Sequence, residues 1–139
     1  MNKKTLLDTS VLHKAINSLT RAVEQLHVTP ADEFVRDSCM QRFEYTYELC
    51  SKFLRRYLKM TESSADDIQE MSFPTLIRTA SERNLLLNDW STWMNYREKR
   101  NITSHTYDEE KADRVLKIVP KFLQDALYLL ARLDEKIKP

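Results

Sequence analysis

The chain has 139 residues, and its 22 basic and 21 acidic side chains give a formal net charge of only +1. This length fits one domain, residues 1–139, and the balanced charge means that any nucleic-acid surface must be local. The chain contains no glycine, which excludes glycine-rich phosphate loops, dinucleotide fingerprints and Asn-Gly hairpins, because each needs positive φ or close backbone approach. A β-rich fold is therefore disfavoured.

Two long helices are predicted in the first part of the chain. Apolar residues recur at three- and four-residue steps after Thr5-Leu6-Leu7-Asp8, which predicts a helix from about Leu6 to His27. Thr29-Pro30 then supplies a cap and a first-turn proline for a second helix of about 30 residues. The buried stripe of that second helix is Val35, Cys39, Phe43, Tyr47, Cys50, Leu54 and Leu58.

The two cysteines fall on this second helix. Cys39 and Cys50 are eleven residues apart, so a rise of about 1.5 Å per residue separates them by roughly 16 Å, too far for a disulfide. We expect reduced, half-buried thiols. The sequence has no signal-peptide pattern and no apolar run near about 18 residues, so we expect a cytoplasmic protein that does not contact a membrane.

Shorter elements follow. Residues 61–72 are acidic and lack a convincing period, which predicts a loop. Ser72 and Pro74 open a short helix that runs through Arg83, and Asn88-Asp89 caps another that ends near Ser104. A capping box at Thr106-Tyr107-Asp108-Glu109 opens the last helix, in which Pro120 removes one backbone bond and should bend the axis. The fold class predicted is all-α, an antiparallel up-and-down bundle of four to five helices.

Candidate chemistry is concentrated between two of these helices, in the segment from Arg97 to Tyr107. Asn101 and His105 share a helical face, whereas Arg100 and His105 are offset by about 140° on a regular helix. They can face one phosphate only if the helix ends before His105, or if two copies of the chain form a composite site across a two-fold axis.

A histidine beside a permanent cation suits RNA cleavage without a metal or other cofactor. The imidazole, with a reference pKa of about 6.5, can take the proton of a ribose 2′-hydroxyl, and the guanidinium can stabilise charge on the phosphoryl oxygens. The alternative is that His105 and Asn101 simply bond to backbone at a helix end, which is the commoner outcome from spacing alone. No Cys/His cluster has metal-ligand spacing, so no metal site is expected.

Two further groups of side chains have open alternatives. A basic face on the second helix could follow an RNA backbone, meet an acidic partner or, as is commoner, be solvated; its members are Lys52, Arg55, Arg56 and Lys59. Near the catalytic candidates, Trp90, Trp93, Tyr96 and Arg97 crowd one side of a helix. The aromatic rings could stack on bases, but burial in the core or in a dimer interface is favoured.

Two motifs carry a family resemblance. The pattern Arg100-Asn101-x-x-x-His105-x-Tyr107 resembles the Arg-x4-His-x-Tyr signature of HEPN domains, the helical bundles of many toxin and antiviral ribonucleases. The stretch from Gln41 to Leu49 is similar to helix 2 of the nucleotidyltransferase substrate-binding protein family, a HEPN subgroup. Together the two stretches and their flanks cover nearly the whole chain.

The resemblance implies a homodimeric HEPN bundle that is bound by a cognate minimal nucleotidyltransferase. In a toxin role, Arg100 and His105 would be the ribonuclease residues, Asn101 would orient them, and Tyr107 would receive AMP from the partner. Lys52, Arg55, Arg56, Lys59 and Arg97 would then contact RNA or the partner. In the alternative role, the chain is a noncatalytic subunit that presents substrate to the nucleotidyltransferase.

Overall fold

The computed structural model describes residues 7–137, and within that range all regular structure is helical. The six helices are α1 (Ser10–Val28), α2 (Glu33–Thr61), α3 (Ala65–Glu70), α4 (Phe73–Glu82), α5 (Trp90–Asn101) and α6 (Glu109–Ile137). The long helices α1, α2 and α6 pack against one another, and α5 packs on α2, α4 and α6. Buried side chains from all six helices join one hydrophobic cluster. The predicted all-α antiparallel bundle is confirmed.

The prediction of a loop over residues 61–72 is wrong, because a short helix, α3, lies within it. Ser64 caps the first turn of α3, where its Oγ accepts a hydrogen bond from the backbone N–H of Asp67 at 3.3 Å. Asp66 and Asp67 lie in that first turn, where negative charge favours a helix. Ile68 is the only buried residue of α3. One apolar residue cannot produce a helical period, so the periodicity of the sequence does not reveal this helix.

Two predicted helix starts also lie too early in the chain. Thr29 ends α1 rather than opening α2, whose cap is Asp32, a residue that accepts from the backbone N–H groups of Phe34 and Val35. The start of α6 is capped by Asp108, whose side chain accepts from the backbone N–H of Lys111, and not by Thr106, the first residue of the predicted capping box. The predicted cap of α5 at Asp89 is confirmed. The predicted start of α1 at Leu6 lies outside the described residues.

Phe122 of α6 lies at the centre of the bundle. Its ring packs edge-on against Phe43 of α2 at 5.0 Å and against Tyr96 of α5 at 5.2 Å between ring centres. Trp93 lies within 6.0 Å of the same ring. This aromatic cluster holds α5 on α2 and α6, and it places the end of α5 beside the middle of α2. Pro120 lies within α6, as predicted.

The two cysteines are fully buried rather than half-buried, and neither forms a disulfide. Burial raises the pKa of Cys39 from 9.0 to about 11, and burial together with nearby Asp125 raises the pKa of Cys50. Burial also raises the pKa of Tyr47 from 10.0 to about 12. The folded chain therefore holds protons that the unfolded chain releases in alkaline solution.

We expect the bundle to lose stability as the pH rises. Above the unfolded pKa values of these groups the folded state binds more protons than the unfolded state, so the free energy of unfolding falls with increasing pH. The urea midpoint should drop between about pH 8 and about pH 11. Replacing both cysteines by alanine should remove the part of the drop in urea midpoint that begins at the lowest pH. A midpoint independent of pH over this range would contradict the burial of these groups.

Candidate functional site

The site predicted from the sequence lies at the junction between α5 and α6. Helix α5 ends at Asn101, and the carbonyl oxygen of Arg100 accepts from the hydroxyl of Thr103 at 2.8 Å and from the backbone N–H of Thr103 at 3.3 Å, which satisfies a carbonyl at the helix end. Residues 102–108 then turn, and α6 begins at Glu109. The helix therefore ends before His105. This is the first of the two alternative arrangements in which Arg100 and His105 could face the same anion.

Arg100 lies in the last turn of α5 and points to α2. Its Nη2 donates to Oε1 of Glu48 and lies 3.9 Å from Oε2 of Glu44, and about a third of its side chain is exposed. These three residues line an open groove of about 610 Å³ between α1, α2 and α5. The other residues that line the groove are Val11, Lys14, Ala15, Tyr45, Leu49 and Lys52.

His105 pairs with Tyr107 in the turn. Its Nδ1 lies 3.0 Å from the phenolic oxygen, and the two rings meet edge to face with 5.7 Å between their centres. When Nδ1 carries the proton and donates to that oxygen, Nε2 is free to accept a proton from a substrate. Tyr107 is 83% exposed, so its hydroxyl can be reached by another protein.

The two halves of the motif contact different parts of α2. Arg100 meets Glu44 and Glu48, whereas Tyr107 borders a hollow of about 520 Å³ that also contains Arg36 and Asp37. On α2, Asp37 lies about two helical turns, or about 10 Å, from Glu44 and about three turns, or about 16 Å, from Glu48. Within residues 7–137 no hydrogen bond or ion pair joins Arg100 to His105. In the described part of the chain, the Arg100 guanidinium and the His105 imidazole therefore have different partners and are not in contact.

Asn101 and Arg97 share a second shallow depression. Asn101 is exposed at the last position of α5. The Arg97 guanidinium lies over the Phe73 ring, 5.0 Å from its centre. Both polar groups are therefore accessible to a large ligand, and stacking on Phe73 restricts Arg97.

The predicted basic face of α2 contains two residues that bond to the segment around α3 and two that are exposed. Arg55 donates to the carbonyl oxygens of Ile68 at 2.7 Å and Met71 at 3.0 Å. Lys59 donates to the side chain of Gln69 at 2.8 Å. These bonds tie α3 to α2. Lys52 and Arg56 are exposed, and Lys52 also lines the groove that contains Arg100.

The aromatic residues of α5 are mainly core residues. Trp93 and Tyr96 are fully buried, which confirms the predicted burial, whereas Trp90 is 40% exposed under the guanidinium of Arg78 at 4.7 Å. Only Trp90 among these three rings has a face available to a ligand.

A buried polar cluster beneath the site was not predicted. Asp125 of α6 is fully buried and accepts hydrogen bonds from the Asn88 amide, at 2.9 and 3.0 Å, and from the Tyr96 hydroxyl. Burial, followed by the bond and the charge of Asp125, raises the pKa of Tyr96. Asp125 therefore fixes α5 one turn before Arg100. The carboxylates Glu44 and Glu48 were also missed, although their spacing of four residues places them on one face of α2.

Residues 7–137 contain neither a metal-binding cluster nor a membrane-spanning helix. Among the side chains of residues 7–137, no group of three or more His, Cys, Asp or Glu is arranged to hold a metal ion. None of the helices in this part of the chain is long and apolar enough to cross a membrane.

The chain belongs to the family described as nucleotidyltransferase substrate binding protein like, which it matches over residues 7–135. The match covers the bundle from the segment before α1 almost to the end of α6. The α5–α6 junction and the α2 face that meets Arg100 both lie within it.

Individual relatives agree with this assignment. A Haemophilus influenzae protein named probable ribonuclease HepT is 36% identical over 138 residues, which is 94% of each chain. A Haemophilus influenzae structure, described as revealing the fold of a substrate binding domain of a nucleotidyltransferase, has a TM-score of 0.85 and 34% identity; the match covers 91% of this chain and 99% of that one. A Thermus thermophilus structure has a TM-score of 0.74 and 28% identity, with 88% and 98% covered.

Proposed function

We propose that the chain is a HEPN-type endoribonuclease that works without a metal and is the toxin of a toxin–antitoxin pair. The main support is the α5–α6 junction, where Arg100 lies at the helix end and His105, bonded to Tyr107, lies in the turn that follows. The 36% identical relative named probable ribonuclease HepT supports the same activity.

The proposed reaction is an internal transesterification of RNA. Nε2 of His105 takes the proton of a ribose 2′-hydroxyl, the 2′-oxygen attacks the adjacent phosphorus, and the bond to the 5′-oxygen breaks. Arg100 stabilises the charge that develops on the phosphoryl oxygens, and Asn101 helps to orient the phosphate. The products are a 2′,3′-cyclic phosphate and a 5′-hydroxyl end.

The leaving 5′-oxygen needs a proton, and each chain has one histidine at the site. A homodimer with the two junctions facing each other across a two-fold axis would supply a second His105 as the acid. Lys52 and Arg56, the exposed members of the basic face, would then contact the RNA backbone on either side.

The proposed antitoxin is a cognate minimal nucleotidyltransferase that modifies Tyr107. The phenolic oxygen attacks the α-phosphorus of ATP and the bond to pyrophosphate breaks. In the tautomer that carries its proton on Nε2, Nδ1 of His105, 3.0 Å from the phenolic oxygen, takes the phenolic proton. The added AMP puts a bulky anion beside His105 and near Arg100. It would inhibit cleavage by occupying the phosphate position and by pairing with the guanidinium.

Expression in bacteria tests the toxin role. Production of the unmodified chain alone should arrest growth, and co-production of the nucleotidyltransferase should restore it. Harmless accumulation of a well-folded chain would contradict the toxin role. It would favour a second candidate, a noncatalytic subunit that binds the nucleotidyltransferase substrate, which the family description itself supports.

The modification has its own prediction. After co-expression with the nucleotidyltransferase, the intact mass of the chain should increase by AMP, because Tyr107 is 83% exposed. Tyr107→Phe should abolish the increase. Tyr45→Phe is the matched control, since Tyr45 is an exposed tyrosine of α2, and this variant should still be modified. An increase that persists in Tyr107→Phe would place the modification elsewhere.

A further inference from the structure

An ion pair that the proposed reaction does not use joins α5 to α2 near the site. Arg100 donates through Nη2 to Oε1 of Glu48, while Oε2 of Glu44 lies 3.9 Å from the same nitrogen, beyond hydrogen-bond distance. The side chains of Arg100 and Glu48 are 34% and 40% exposed, so solvent and ligands reach the pair.

The core fixes the relative positions of these two side chains. Tyr47, next to Glu48, is buried, and its ring lies 6.1 Å from Phe73 and 6.2 Å from Phe122. Arg97, one turn before Arg100, stacks on the same Phe73 ring. Glu48 therefore meets Arg100 from a rigid helix face, which distinguishes this pair from one between two mobile surface side chains.

The pair leaves Arg100 able to bind an anion. A guanidinium has five N–H donors, and the bond to Glu48 uses one nitrogen, so Nε and Nη1 remain available to phosphoryl oxygens. Lys14 and Lys52 line the same groove. The three cations there outnumber the carboxylates Glu44 and Glu48, and an incoming phosphate still meets net positive charge.

We propose that Glu48 is a positioning residue that holds the Arg100 guanidinium in the orientation that receives the scissile phosphate, an inference that rests on the proposed ribonuclease function. Without the Glu48 acceptor, the long Arg100 side chain would sample several rotamers, and only some would present its free donors to the substrate. Glu48 itself does not touch the RNA.

The kinetic test compares two substitutions of Glu48. Glu48→Ala should lower kcat for RNA cleavage by about ten- to a hundredfold with little change in KM, because the group that stabilises the transition state is displaced. Glu48→Gln keeps an acceptor oxygen and should remain within a few-fold of the wild type. Glu135→Ala is the matched control, since it removes the exposed partner of another arginine, Arg132, away from the groove, and it should leave cleavage nearly unchanged. In an Arg100→Ala background, Glu48→Ala should cause no further loss.

A second readout does not depend on cleavage. The NMR order parameter of the Arg100 Nε–H group should fall in Glu48→Ala and remain high in Glu135→Ala, with thermal unfolding unchanged in both. If the wild type cleaves no RNA, the proposed function fails, and this measurement still tests the positioning. Unchanged Arg100 order in Glu48→Ala, or cleavage by that variant at or above the wild-type rate, would overturn the inference.

Discussion

His105→Ala is expected to lower the rate of RNA cleavage by about 10²- to 10⁴-fold, the usual contribution of a positioned general base or acid. The loss should fall on kcat, because the imidazole acts in proton transfer and contributes little to binding of the RNA backbone. In a dimer both copies of the imidazole are lost, so the base and the acid disappear together. The measurement is single-turnover cleavage of a defined RNA by the purified chain.

His27→Ala is the matched control for this prediction. His27 is exposed in the last turn of α1, and its removal should leave the cleavage rate within a factor of about two, as expected for a surface substitution. Equal cleavage by His105→Ala and the wild type would show that another group, or a contaminating nuclease, performs the reaction.

Asp125→Ala should destabilise the fold by roughly 3 to 5 kcal/mol, the cost of removing one partner from a buried polar cluster. The substitution leaves the Tyr96 hydroxyl and the Asn88 amide without their acceptor in the core. It also leaves a cavity beside α5. The measurement is the free energy of unfolding from urea denaturation at neutral pH.

Asp113→Ala is the control for Asp125→Ala. Asp113 belongs to the same helix and pairs with Arg36, but its side chain is 63% exposed, so its loss should cost less than about 1 kcal/mol. If the two substitutions had equal effects, Asp125 would not be the buried acceptor that holds α5 in place.

The long helices could be predicted from sequence because each buries a continuous stripe. The apolar positions of α1 and α2 repeat at three- and four-residue steps, and burial of such a face supplies most of the stability of a helix in a protein. Helix α3 could not be predicted, because Ile68 is its only buried residue. The predicted start of α2 lies too early because Thr29 and Asp32 are both good caps; the Thr29 hydroxyl instead donates to the Gln25 carbonyl at the end of α1, and Asp32 caps α2.

The same distinction holds for the candidate site. The junction between α5 and α6 could be predicted from the sequence, although α5 ends at Asn101 rather than near Ser104. Glu48 and Asp125 could not be identified in this way. Their partners are Arg100, 52 residues from Glu48, and Tyr96, 29 residues from Asp125. Contacts over such separations follow from packing and have no local pattern.

The chemical ends of the RNA products test the central claim most directly. The purified chain should cleave RNA in the presence of a chelator and leave 2′,3′-cyclic phosphate and 5′-hydroxyl ends, because the 2′-oxygen is the attacking group. Arg100→Ala and His105→Ala should each prevent the appearance of these ends. Products with 3′-hydroxyl and 5′-phosphate ends, formed only when a divalent cation is added, would contradict the account.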